Sequence, residues 1–316
     1  LPILWYTHHD KRGDKAMAQL IKNYFHDDKK RAALNALTHS VFGFDFADWV
    51  RHGYDTGDYY PYSWEENGRI LSNASVNRMV FALTLPGGAT VERTYGQIGT
   101  VMTAPAFRRQ GLAGSLIQTI LQDTGASYDG FYLFANLHAV DFYRSLGFQP
   151  CRETRASLHR AELGAMGPAD FVPIRYDSEK QKVYMSLVRH GIDNSAFFQR
   201  NRFGLQMFYT GNFETVYVSP SLSCFACYER DGDILMLHSV LSKKPVSVLQ
   251  VLRQIPEPFE TAILGFTPRA DERPAFTFTP FDGGDDYRLF TLGASPGTSL
   301  TEIEEQALLF PTYSHA

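Results

Sequence analysis

Apolar positions along this chain change period several times, and the changes lay out a series of elements. Residues 70–85 carry Ala74, Val76, Met79, Phe81 and Leu83, the pattern of one long strand. Tyr62–Trp64 precede it as a shorter strand across a turn at Glu66-Asn67-Gly68, and Pro86-Gly87-Gly88 form a turn after it. Residues 97–103 read as the next strand, 115–121 as a helix, 131–136 as a strand and 139–148 as a helix. Upstream, residues 2–8 suit a first strand. Residues 14–24 and 28–41 have helical composition, with Leu34, Leu37 and Val41 on one face.

Gly164, Gly167, Pro168 and Pro173 punctuate residues 161–173, which read as a linker between a unit at 1–160 and a second at 174–316. The second unit repeats the order. Residues 215–218, 224–228 and 234–241 suit strands, with Asp231-Gly232 as a hairpin turn. A helix over 246–255 and a strand over 261–266 follow. This order admits reading the second half as a degenerate copy of the first.

The most informative stretch is Arg108-Arg109-Gln110-Gly111-Leu112-Ala113-Gly114, between a strand ending in Val101-Met102-Thr103 and a helix opening at Ser115. A Gly- and Arg-rich turn feeding a helix N-terminus suits a diphosphate. Small residues admit the oxygens, the first N–H groups of the helix point at them, and arginine adds charge. No Gly-Lys-Ser/Thr closes it, and it lacks the dinucleotide Gly-x-Gly-x-x-Gly. A second motif follows: the strand Phe131-Tyr132-Leu133-Phe134-Ala135-Asn136, then Asp141-Phe142-Tyr143 and Leu146-Gly147-Phe148.

Together, over residues 97–150, these motifs resemble the GNAT superfamily of N-acetyltransferases. The resemblance implies an α/β (α+β) fold with a mixed, twisted central sheet flanked by helices, followed by a second α/β domain. It implies acetyl-CoA as the acyl donor. In that reading Arg108, Arg109 and the main chain of Gln110, Gly111, Leu112, Ala113, Gly114 and Ser115 hold the diphosphate. Main-chain groups of Val101, Met102 and Thr103 orient the thioester where their strand splays from the next, and Asn136 meets the pantetheine arm. Tyr143 becomes the acid that protonates the leaving thiolate, its phenol having an ordinary pKa of about 10.

Each assignment has a plainer alternative: a helix cap for Asn136, a core ring for Tyr143. Glu92 is a candidate base for the amine, or a solvated loop charge. The chain's last residue, Ala316, is another candidate, because a terminal carboxylate reaches the active site in the related enhanced intracellular survival acetyltransferases. Phe46, Trp49, Tyr54, Tyr59 and Tyr60 interleave with Asp45, Asp48, Asp55 and Asp58. Of these, Trp49, Tyr54, Asp55, Asp58 and Tyr60 are expected to bind an amine acceptor, or to form a loop pinned by its own rings.

Composition narrows the partners. A net charge of −4 over 316 residues argues against general nucleic-acid binding and leaves room for a cationic acceptor. Cys151, Cys224 and Cys227 form a sparse, odd set. Cys224-Phe225-Ala226-Cys227 sits in an apolar strand without a second pair, so structural thiols in a reducing compartment are expected, with no metal. No apolar run reaches membrane-spanning length. The first six residues are too short for a secretory core, so the cytoplasm is expected. The expected activity is acetyl transfer to a primary amine of a small molecule or peptide. The rival is an acyl-CoA sensor without turnover whose second half contacts a partner, and a homodimer face in that half is also open.

Overall fold

The computed structural model of the protein describes residues 5–9, 15–85, 87–293 and 300–316. The expectations at residues 2–4, 14 and 86 lie outside the described residues. In chain order the first half forms β1 (Trp5–His9), β2 (Lys15–Lys22), α1 (Asp28–Phe42), α2 (Ala47–Arg51), β3 (Tyr59–Glu66), β4 (Arg69–Thr84) and β5 (Thr90–Thr103). Then come α3 (Leu112–Thr124), β6 (Gly130–Asn136), α4 (Val140–Ser145) and β7 (Gln149–Pro150). The second half adds β8 (Glu153–His159), β9 (Val172–Pro173), α5 (Ser178–His190), β10 (Ile192–Asp193), β11 (Phe197–Gln199) and α6 (Phe203–Thr210). It continues with β12 (Val216–Ser219), β13 (Cys224–Asp231), β14 (Ile234–Ser242), α7 (Val248–Gln254) and β15 (Thr261–Leu264). The chain closes with β16 (Thr277–Phe281), β17 (Tyr287–Gly293) and α8 (Thr301–Glu305).

Local chemistry accounts for the element ends. The Asp27 carboxylate accepts from the Lys29 and Lys30 N–H groups at the start of α1, and Gly43 ends the helix at φ 79°. The expectation of a helix over 14–24 is overturned, because residues 15–22 are strand β2, paired with β3 from Gln19↔Glu65 to Lys22↔Tyr62. Ala18 and Leu20 pack into one core cluster and Ile21 into another, which is the two-residue period of a strand.

Two mixed sheets result. The first runs β1-β2-β3-β4-β5-β6-β17-β7, with β11 added beside β4, and the second runs β16-β8-β15-β14-β13-β12-β9, with β10 beside β14. Strand pairing does not follow the division at residue 160. Strand β8 already belongs to the second sheet, while β11 and β17 return to the first. Strand β17 pairs with β6 along its whole length, from Tyr287↔Asn136 to Gly293↔Gly130. The tail behind it is anchored in the first core: Phe310 is buried and stacks on Tyr132 at 4.2 Å. Removing such a ring costs about 3–5 kcal/mol.

The second sheet repeats the topology of the first. An antiparallel meander, β12-β13-β14, leads through α7 to β15, which is parallel to β14. The same connection links β5 through α3 to β6. Two places in the repeat are filled by the chain itself. The Glu272 carboxylate accepts from Ser247 Oγ at 2.7 Å and the Val248 N–H at 2.8 Å, filling the start of α7. Where β14 runs past β15, the chain's own Thr312 donates its N–H to the Gly265 carbonyl at 2.8 Å. Cys151, Cys224 and Cys227 are buried free thiols, each pushed up to about 12 by burial.

Candidate active site

The site begins with a fault in β5. Ser75 pairs with Gly99 and Asn73 with Met102, so Thr100 and Val101 together face the single residue Ala74. Thr100 adopts φ 42°, and the bulge bends the strand. Pairing between β5 and β6 covers only Tyr95↔Gly130, Gly96↔Phe131 and Gln97↔Tyr132. Beyond Gln97 the two strands separate, and the β6-facing edge of residues 98–103 is left without a strand. This is the splay expected around Val101, Met102 and Thr103. The Met102 carbonyl accepts from Ser72 Oγ at 3.1 Å and the Thr103 carbonyl from Arg108 Nε at 3.2 Å, which fixes the strand's end.

Beside the splay lies the Gly-Arg turn. Arg109 (φ 62°) and Gly111 (φ 77°) are both left-handed, and Gly111 gives α3 no side-chain cap. The first-turn N–H groups of Leu112, Ala113 and Gly114 therefore have no intrahelical acceptor, a ready anion cradle. Arg108, Arg109 and Gln110 are exposed. Arg109 makes no ion pair among the described residues, whereas Arg108 is tied back to Thr103. Ser115 stands differently from the expectation. Its N–H donates to the Gly111 carbonyl at 3.0 Å and its Oγ accepts from Trp64 Nε1 at 2.9 Å, so it braces the helix rather than the cradle.

Helix α4 carries Tyr143. Its ring is buried against Phe142, Phe148 and Phe290, and burial pushes the phenol up to about 12. Its hydroxyl makes no hydrogen bond among the described residues, although the ring lies in the core. A Cβ on Gly114 would meet the Phe142 ring at 3.7 Å, so the start of α3 and the Tyr143 helix adjoin. Asn136 ends β6 and opens the following turn without a side-chain capping bond.

On the other face of the bulge is a cavity of about 180 Å³. Phe44, Phe46, Trp49, Tyr59, Phe208 and Tyr209 supply its rings. Asp58, Asn77, Arg78, Thr100, Gln199, His315 and Ala316 also line it. A polar network fixes its floor. Tyr59 Oη and Ser75 Oγ reach Thr100 Oγ1 at 2.9 and 2.7 Å, and Asn73 Nδ2 donates to the Thr100 carbonyl at 2.9 Å. The tail enters from the second half: His315 stacks on Phe134 at 3.6 Å, and Tyr209 Oη donates to its carbonyl. Ala316 ends against Gly99, where a Cβ would lie 2.7 Å from the Ala316 oxygen and 3.1 Å from Asn77 Nδ2. Burial pushes His315 down to about 3, so its imidazole is neutral and a poor base. Asp58 is half-buried and raised above the usual carboxylate range, chiefly by burial.

The structure thus brings Trp49, Asp58 and Ala316 together and separates others from them. Glu92 is exposed, pairs with Arg200 at 2.9 Å, and lies opposite Ala82. Eight residues of strand separate it from Thr100, about 26 Å at roughly 3.3 Å per residue, so it is not at the site. Tyr60 packs into the α3-side core, because alternation along β3 turns Tyr59 to the cavity instead. The Asp55 carboxylate accepts the Gly57 N–H at 2.9 Å and shapes a turn. Tyr54 packs on Phe203 in a neighbouring shallow cleft. Sequence reasoning missed Tyr59, Asn77 and Thr100, which the bulge assembles, and Gln199, Phe208 and Tyr209, which arrive from the second half. Only the alternation of β3 carried a signal for any of them.

A bulged, splayed strand pair beside an uncapped glycine-arginine turn marks this α/β fold. The sequence profile of the Acetyltransferase (GNAT) family matches residues 13–148, and this part of the chain is a GNAT-family domain. No curated protein matches the chain. Among solved structures, a GCN5-related N-acetyltransferase from Anabaena variabilis ATCC 29413 aligns over 87% of this chain and 73% of its own at 14% identity and TM-score 0.52. One from Kribbella flavida aligns over 87% and 71% at 13% identity and TM-score 0.51. Eis1 from Mycobacterium abscessus aligns over 85% and 73% at 14% identity and TM-score 0.50. At these identities the likeness establishes the fold, and it spans both halves. Among the described residues no cluster suits a metal ion, and no helix is long and apolar enough to cross a membrane.

Proposed function

We propose that the protein is an acetyl-CoA-dependent N-acetyltransferase acting on a primary amine of a small molecule or peptide. The observation that carries this reading is the two-sided opening at the β5 bulge. The uncapped α3 turn and Tyr143 lie on one side, and the aromatic cavity with Asp58 and Ala316 lies on the other. When bound, acetyl-CoA supplies an acetyl thioester, at whose carbonyl carbon a C–N bond to the amine would form as the C–S bond breaks and the thiol leaves.

The chain's residues divide the remaining work. Arg109 and the N–H groups of residues 111–114 bind the diphosphate. The free edge of Val101–Thr103 orients the acyl arm, with Asn136 on the facing strand. Tyr143 holds its proton at Oη through the neutral range and delivers it to the departing thiolate. Asp58 attracts the ammonium form of the acceptor. Where the chain ends at Ala316, the oxygens packed on Gly99 carry a negative charge and take up the amine's proton. Three buried free thiols suit a reducing compartment, and we assign the chain to the cytoplasm.

The test is release of free thiol from acetyl-CoA on addition of primary amines. Turnover is expected. Tight acetyl-CoA binding with no thiol release across a broad panel would favour a sensor and overturn the enzymatic reading.

A further inference from the structure

The cavity's walls carry information about the acceptor that the acetyl-transfer reading does not use. At about 180 Å³ it is close to the size that holds one ring. An apolar cavity of about 150 Å³ takes up benzene. The six rings lining it are fixed by packing on one another. Phe46 meets Tyr59 at 5.1 Å, Phe44 meets Phe208 at 5.5 Å, and the Trp49 indole N–H is tied to the Gly204 carbonyl at 2.7 Å. Such walls offer flat apolar contact and little hydrogen bonding.

The charges are as selective as the shape. Among the described residues that line the cavity, Asp58 is the one acidic side chain and Arg78 the one basic side chain. Arg78 is exposed, and its backbone N–H donates to the Asp58 carbonyl at 2.9 Å, so the two stand together on adjoining segments. Asp58 matches one ammonium, the Ala316 oxygens are committed to the proton which that same nitrogen sheds, and a second ammonium meets the Arg78 guanidinium. Acidic residues of the neighbouring cleft do not change this count. Asp48 pairs with Arg51 at 2.8 Å, and the Asp45 carboxylate caps Ala47. Two buried polar atoms are also left open: Gln199 Oε1, an acceptor, and His315 Nε2, an acceptor in the Nδ1–H tautomer, have no hydrogen-bond partner among the described residues, and both residues line the cavity. A primary amine's N–H groups answer such atoms.

We propose, building on the acetyl-transfer reading above, that the acceptor is a monocationic primary amine with a ring-sized apolar body, of the arylalkylamine or cycloalkylmethylamine class. Polycations such as polyamines and aminoglycosides are excluded. The rings seat the body, Asp58 and the open acceptors hold the nitrogen toward the bulge, and Arg78 repels a second charge.

The experiment measures kcat/KM by thiol release with 2-phenylethylamine, cyclohexylmethylamine, spermidine and kanamycin at saturating acetyl-CoA. The ring amines are expected to exceed both polycations by about 10²-fold or more. F208A is expected to lower kcat/KM for 2-phenylethylamine about tenfold while the KM for acetyl-CoA holds. Because F208A also removes packing, R78A serves as a second variant at an exposed position. It is expected to raise the ratio of kcat/KM for spermidine to that for 2-phenylethylamine several-fold, and an unchanged ratio overturns the inference. Turnover confined to the polycations, or equal turnover of all four, overturns this inference and leaves acetyl transfer standing. No turnover with any of the four or with a wider amine panel, despite acetyl-CoA binding, overturns both.

Discussion

Gly99 is the position where one added methyl group separates catalysis from folding. A Cβ there would sit 2.7 Å from the Ala316 oxygen. Carbon–oxygen contacts in proteins settle near 3.3–3.6 Å, so the chain end must retreat by roughly 0.6–0.9 Å. A displacement of about 1 Å at a reacting group costs on the order of 10²-fold in rate. Overpacking a core position costs about 1–3 kcal/mol, and because Ala316 is exposed the cost here falls at the low end. Gly99→Ala is therefore expected to lower kcat by roughly 30- to 100-fold, a range anchored on that geometric penalty, with a melting temperature close to that of the parent. The KM for acetyl-CoA should stay within about twofold, because the diphosphate cradle lies on another segment. Steady-state thiol release at saturating amine, with differential scanning calorimetry on the same preparation, reads all three quantities. Full kcat in a normally folded Gly99→Ala protein would refute the claim that the Ala316 oxygens act on the acceptor. A matching rise in the acetyl-CoA KM would place the damage on the wrong side of the bulge.

The other expectations can be checked with the same assay. Tyr143→Phe should lower kcat by about 10²–10⁴-fold and leave acetyl-CoA affinity unchanged, and unaltered kcat would remove the phenol from the mechanism. Since burial holds that phenol up to about 12, the parent should show no alkaline loss of activity traceable to Tyr143 across the neutral range. Arg109→Ala should raise the Kd for CoA about tenfold in titration calorimetry, in line with loss of a charge-assisted bond, and an unchanged Kd would empty the cradle of its arginine. Glu92→Gln should leave kcat within about twofold, since its partner is Arg200 and its place is far along the strand. Glu153 is buried, its carboxylate accepts the Phe310 N–H at 2.8 Å, and burial raises it from 4.5 to about 8. The folded chain therefore binds more protons than the unfolded one between those values, so stability falls as pH rises through that window. Glu153→Gln should flatten that slope in melting curves taken from pH 5 to 9, and an unaltered slope would contradict the assignment.

How much of this was legible in the sequence follows from how local each feature is. The Gly-Arg turn, the Asn-ended strand β6 and the Phe142-Tyr143 helix each occupy a handful of consecutive residues, and they appear where the motifs put them. The segment 15–22 failed because Ala16, Met17, Ala18, Leu20 and Ile21 satisfy two periods in so short a run, and pairing with β3 decides between them. On the aromatic-acidic stretch, composition identified the wall, but only strand parity could tell Tyr59 from Tyr60. Asp55 went to a turn and Asp58 to the cavity for reasons of backbone direction. Beyond local reach lay the insertion of β17 between β6 and β7, the addition of β11 to β4, and the seating of Phe208 and Tyr209 over a cavity whose floor is some hundred residues earlier. The repeated order of the second half was visible. Its closure by Glu272 and by the tail was not, because each plug comes from a distant loop.

The most direct measurement is a crystal structure of the protein grown with coenzyme A and a ring-bearing primary amine. The account predicts the diphosphate on the N–H groups of residues 111–114 beside Arg109, the sulfur at the β5–β6 opening facing Tyr143, and the amine across the bulge near Asp58 and Ala316. A diphosphate bound elsewhere, or a sulfur that approaches neither the opening nor Tyr143, would contradict it.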